Sequence, residues 1–141
     1  VMKKTILFVC THNSARSQMA EGLMTHYHSD TYQSFSAGTK PGGVNPFSIK
    51  ALEEIGFDTS GLTSKSTDEF QGTELDYVVT VCDRARDACP SFPGRQKVHW
   101  SIEDPGEVPG TDEDRVRAFR ATRDLLFGLI EELVRECEGD G

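Results

Sequence analysis

Apolar residues fall in two rhythms that alternate along this chain. Thr5–Val9 is an unbroken apolar run and Asp76–Val81 carries Tyr-Val-Val-Thr-Val, the pattern of strands buried on both faces. Tyr32–Ala37 alternates enough to be another strand, ended by Gly38 and Pro41-Gly42-Gly43, and Val98–Ile102 supplies a fourth. Leu62–Lys65 is a weaker strand signal, and Thr67–Phe70 reads as one short helical turn. Between these runs the spacing turns helical. Ala15–His28 sets Ala20, Leu23, Met24 and Tyr27 on one side. Asn45-Pro46 reads as an N-cap followed by proline at the first helical position, opening a helix that runs to Ile55 with Gly56 as its left-handed stop. Gly110-Thr111 starts the last helix, where Thr111 and Asp114 fit a reciprocal cap and Asp112 and Glu113 suit the positive helix end. Its stripe is Val116, Phe119, Leu126, Ile130 and Leu133, and Cys137 continues it.

Strands alternating with helices over short links predict the α/β class. The expectation is a single domain over residues 1–141, with a parallel four-stranded sheet, helices on both faces and right-handed crossovers. Ligands of such sheets bind beyond the C-terminal strand ends, which is where Cys10 falls.

Composition narrows the class. A chain of 141 residues, 36% hydrophobic, has no apolar run of membrane-spanning length and no signal-peptide core, so a cytoplasmic location and no membrane partner are expected. A net charge of -8 argues against a nucleic-acid surface, and makes any basic anion pocket a local feature. The four cysteines, Cys10, Cys82, Cys89 and Cys137, lack the spacing of a disulfide framework or a zinc knuckle, and no metal site is expected from them.

The segment Cys10-Thr11-His12-Asn13-Ser14-Ala15-Arg16-Ser17 carries the chemistry. A thiol at a strand end is followed by a short polar loop and then by an arginine where a helix opens. Loop amides, the helix start and the guanidinium converge on a tetrahedral oxyanion, and the same field favours an ionised sulfur, as does the Ser17 hydroxyl. Thr11 through Ser17 are thus the expected substrate-binding residues, with Asn13 holding the loop's shape and His12 facing solvent. The plainer alternative is a buried Cys10 with Arg16 paired to a surface carboxylate.

Phe8 to Gly22, Val79-Thr80-Val81-Cys82-Asp83 and His99-Trp100-Ser101-Ile102-Glu103-Asp104-Pro105, in that order, resemble the thioredoxin-coupled arsenate reductases. These have the low-molecular-weight protein tyrosine phosphatase fold. The resemblance implies reduction of arsenate to arsenite by a cascade of three thiols, Cys10, then Cys82, then Cys89, with thioredoxin as reductant. It implies no tightly bound cofactor and a monomer. Asp104, just before Pro105, is the expected general acid, although an aspartate there also suits a turn or N-cap. Cys82 ends a strand parallel to that of Cys10 and emerges on the same sheet edge. Cys89 lies seven residues further on, so on a helix the two sulfurs stand ~10 Å apart, beyond disulfide reach; their bonding requires that segment to unwind. Arg84 and Arg86 between them are either thiolate-favouring charges or plain solvated ones. Glu21 and Ser36 resemble positions that bind an alkali-metal ion in some relatives, and Lys65 stands where a carboxylate would complete that site, so its ammonium is expected to replace the ion.

Two departures from the pattern are His12, where glycine is frequent, and Ala15, where an extra cysteine is frequent; neither removes a catalytic atom. Rival readings are a phosphatase acting on phosphotyrosine or a small phosphate ester, and a non-enzymatic module that binds FMN or senses oxidants or arsenicals. Gly106-Glu107 after Asp104-Pro105, in place of an aromatic, and the extra cysteines argue against the phosphatase.

Overall fold

The computed structural model describes residues 3–88 and 95–139. The chain runs β1 (Lys4–Cys10), α1 (Arg16–His28), β2 (Tyr32–Gly38), α2 (Pro46–Glu53), β3 (Tyr77–Thr80), α3 (Asp83–Ala88), β4 (Gln96–His99) and α4 (Asp112–Gly139). Short 3-10 turns lie at Thr67–Phe70 and Pro105–Glu107. All strand pairs are parallel, in the order β2-β1-β3-β4.

That order fixes where the chemistry lies. The β1-to-β2 connection moves one way across the sheet and the β3-to-β4 connection moves the other, so right-handed crossovers put α1 and α3 on opposite faces. Accordingly α1 packs on β1 and β2, whereas α3 packs on β1 and β3. Both faces of β1 are covered, and Ile6 to Cys10 are buried without alternation. The direction reverses between β1 and β3, and the crevice at that reversal receives the loops after both strands.

Local signals act as the sequence suggests. Asn45 Oδ1 accepts from Phe47 N at 2.8 Å with Pro46 opening α2, and Gly56 sits at φ 87° just past the end of that helix. Thr111 and Asp114 cap α4 reciprocally, the Asp114 amide donating to Thr111 Oγ1 at 3.2 Å and the Thr111 amide to Asp114 Oδ2 at 2.9 Å. Phe119, Leu126, Ile130, Leu133 and Cys137 are buried along α4, while Val116 is half-buried.

Four expectations need correction. Leu62–Lys65 is not a strand: the Gly38 amide donates to the Lys65 carbonyl and one isolated bridge joins Gly38 to Ser66. The segment turns instead to serve the Asn13 loop. β4 lies earlier than Val98–Ile102, because after Trp100 the chain leaves the sheet to bring the Ile102 carbonyl to Arg16. α1 starts at Arg16, one residue later than expected, since Ala15 (φ -120°, ψ -82°) still belongs to the loop. Tyr27 is 46% exposed, its ring 4.9 Å from Phe127, so the end of α1 sets it against α4 rather than in the core.

Candidate active site

Cys10 ends β1 and is buried, with its sulfur held from two sides. The Ser17 hydroxyl lies 2.8 Å from Sγ, and the Asn13 amide donates to Sγ at 3.2 Å. Asn13 reaches this geometry at φ 49°, a left-handed conformation that asparagine tolerates better than most residues.

The loop carbonyls are drawn outward. Those of Cys10, Thr11 and His12 accept from the Thr39, Lys40 and Gly42 amides at 3.2, 2.8 and 2.9 Å. Ser48 Oγ and the Asn45 amide donate to the Ser14 carbonyl, and Gln18 Nε2 reaches that of Asn13. Turning carbonyls away leaves the amide edge of the loop facing inward, the geometry of an anion nest. α1 starts without a side-chain cap, so its first amides add to that edge.

The loop needs a close neighbour. A Cβ on Gly38 would lie 2.6 Å from the Thr11 carbonyl oxygen and 2.8 Å from the Asn13 nitrogen, so only glycine lets the end of β2 support it. Asn13 is the hub. Its Nδ2 donates to Ser17 Oγ at 2.8 Å, and its Oδ1 accepts from the Lys65 amide at 2.8 Å and Gln18 Nε2 at 3.0 Å.

Arg16 is aimed by its surroundings. Nη1 donates to the Ile102 carbonyl at 2.7 Å and Nη2 lies 3.8 Å from Asp104 Oδ2. Its Nε is buried with no acceptor among the described residues, an orphan donor that suits an oxyanion at the loop. Asp104 Oδ1 caps the Pro105–Glu107 turn through the Gly106 amide at 2.8 Å, and its Oδ2 stays beside Arg16.

Cys82 follows β3, one step past the register position opposite Cys10. It is buried, 3.4 Å from Thr11 Oγ1, and the Ala85 amide donates to its sulfur at 3.4 Å. The structure thus brings Cys10, Arg16, Cys82 and Asp104 to one crevice with the loop Thr11 to Ser17. Cys89 lies outside the described residues. Arg86 pairs with Asp87 at 3.3 Å in solvent, which favours the plain reading of that charge, and His12 is exposed with Nδ1 3.1 Å from the Lys40 carbonyl.

Gln18 and the backbone of the Thr63–Lys65 segment were missed as supports of the anion loop. Gln18 is fully buried on α1 and bonds Asn13 and the Thr63 carbonyl, and the only sequence signal was an amide amid small and apolar neighbours. Glu21 Oε1 accepts from Ser36 Oγ at 2.8 Å and lies 3.7 Å from Lys65 Nζ, which also donates to the Thr63 carbonyl at 2.7 Å. Burial raises the Glu21 carboxyl above its ordinary range, with Lys65 the strongest opposing influence. An ammonium in this place does not fit an added alkali cation.

Comparison with known proteins agrees with this geometry. The family model described as low molecular weight phosphotyrosine protein phosphatase matches residues 5–140. An arsenate reductase of Halalkalibacterium halodurans is 46% identical over 130 residues, covering 92% of this chain and 94% of that protein. A solved arsenate reductase in its phosphate-binding state superposes with a TM-score of 0.77 at 29% identity, covering 94% of this chain and 98% of that one. The thioredoxin-dependent arsenate reductase of Corynebacterium glutamicum gives 0.76 at 27% identity, covering 99% of this chain and 64% of that one. The chain therefore belongs to the low molecular weight phosphotyrosine protein phosphatase family and groups, within it, with the arsenate reductases.

Proposed function

We propose that this protein reduces arsenate to arsenite by a thiol relay. The Cys10 thiolate attacks arsenic, the loop amides and Arg16 hold the oxyanion, and an arsenic-bound oxygen leaves as water after taking a proton from Asp104. Cys82 then attacks Cys10; the S–S bond forms as the S–As bond breaks, and its electron pair stays on arsenic, which leaves as arsenite. Cys89 attacks Cys82, freeing Cys10 and closing a second disulfide. Two electrons and two protons from a thioredoxin dithiol restore the enzyme.

The observation that carries this reading is the second thiol. Cys82 lies buried against Thr11 of the anion loop, where hydrolysis of a phosphate ester would need no sulfur. The relatives named arsenate reductase support it, and the thioredoxin dependence of the Corynebacterium glutamicum protein supports the choice of reductant. Free thiols of this kind belong in the cytoplasm, and one chain suffices for the chemistry. The Lys65 ammonium stands in for an alkali ion, so activity should not depend on potassium.

The test is arsenate-dependent NADPH oxidation with thioredoxin and thioredoxin reductase. Cys10→Ser, Cys82→Ser and Cys89→Ser should each abolish turnover. Multiple turnover surviving in Cys82→Ser or Cys89→Ser would refute the relay, and steady hydrolysis of a phosphate ester without arsenate turnover would favour the phosphatase.

A further inference from the structure

Three polar side chains outside the anion cradle tie the first turn of α3 to the sheet. Thr80 and His99 are register neighbours at the ends of β3 and β4, so their side chains leave the same sheet face. Thr80 Oγ1 lies 2.7 Å from His99 Nδ1, and His99 Nε2 lies 2.8 Å from Asp83 Oδ1. Ser101 Oγ donates to the other Asp83 oxygen at 3.4 Å. These bonds, His99 foremost, hold the Asp83 carboxyl below the ordinary aspartate range. An ionised carboxylate only accepts, so the ring nitrogen facing it, Nε2, carries a proton. With the ring neutral, Nδ1 accepts from the Thr80 hydroxyl. With the ring protonated, Nδ1 donates to Thr80 Oγ1, whose hydrogen turns to the Val98 carbonyl 3.5 Å away. The chain of bonds is satisfied in either state.

Asp83 follows Cys82 directly and opens α3, a helix of six residues that is too short to stay wound by itself in water. We propose that His99 is a positioning residue for Cys82: by clasping Asp83 it keeps α3 wound on the sheet, and loosening that clasp sets how readily α3 opens for thiol exchange. The inference rests on the relay reading for its purpose, since a relay through this segment is what requires α3 to open.

Hydrogen exchange on the full-length reduced protein, without arsenate, tests it. In His99→Ala, peptides covering residues 83–88 should exchange roughly 3- to 10-fold faster, with Cys82 alkylation accelerated alike and α1 peptides unchanged. His99→Gln, whose side-chain amide still reaches Asp83, should return both rates towards wild type. The equilibrium with thioredoxin should shift in His99→Ala towards the protein disulfide by a similar factor, because the wound, reduced form is the one that loses support. Unchanged exchange at 83–88, acceleration shared by α1, or a glutamine variant no better than alanine would overturn the clasp. These readouts need no arsenate, so a wild type without arsenate turnover would sink the relay and leave the clasp measured separately.

Discussion

Asn13 offers the sharpest test of how the cradle is built. Asn13→Ala removes three hydrogen bonds, to Ser17, Lys65 and Gln18, at a fully buried position. At about 1 kcal/mol net for each, the loss is ~3 kcal/mol. Alanine must also hold φ 49°, which adds about 1 kcal/mol that glycine avoids. Urea unfolding should therefore show a loss of ~4 kcal/mol for Asn13→Ala and ~3 kcal/mol for Asn13→Gly, or roughly 10–20 °C in Tm. The same series, repeated with inorganic phosphate, reads the cradle itself. Wild type should gain stability by mass action as phosphate rises, whereas both variants should gain little. A cost under ~1 kcal/mol for Asn13→Ala would show that the three bonds do not brace the loop, and a glycine variant no better than alanine would show that the left-handed backbone does not matter.

Other substitutions probe separate parts of the structure. Gly38→Ala drives a Cβ into the Thr11 carbonyl and should cost ~1–3 kcal/mol with a larger loss of phosphate binding; a variant that binds phosphate normally would show that β2 need not touch the loop. Glu54 is held at about 2 by hydrogen bonds from Arg120 and then Arg123, below its unfolded value of 4.5. Its contribution is full above 4.5 and lost as pH falls towards about 2, so an acid titration of stability should flatten in that window for Glu54→Gln. Glu21 has the opposite sign: a carboxyl raised by burial favours the fold most at pH below 4.5 and loses that favour as pH rises through its folded value. Lys65→Met removes the main opposing charge, so its stability should decline more steeply than that of wild type as pH rises above 4.5, and a flat profile would count against the Lys65–Glu21 pairing.

The legibility of this chain follows from how local each signal is. Strand burial, the Asn45-Pro46 start, the Gly56 stop and the Thr111–Asp114 cap are decided by neighbours within a few residues, and each lies where the pattern puts it. Cys10 and Arg16 are legible for the same reason, being bound into one strand-loop-helix junction. Leu62–Lys65 and the residues after Trp100 misled because their backbones answer to distant groups, Asn13 and Arg16. Their composition suits a strand, but hydrogen bonding across the fold decided otherwise. Gln18, likewise, looks like an ordinary helix residue until the Thr63 carbonyl is brought beside it.

The Asn13 hub also limits what could be transplanted. A graft of residues 10–17 onto the strand–helix junction of another protein would carry the nucleophile, the arginine and the internal Asn13–Ser17 bond, but not the Lys65 amide, the Thr63 carbonyl or Gln18 that complete the bracing. Nor would it carry Gly38, whose missing side chain leaves room for the loop. The smallest portable unit is a three-part junction of the loop with the first turns of α1, the end of β2 and the Thr63–Lys65 segment. Any engineered oxyanion site built on this plan has to move all three together.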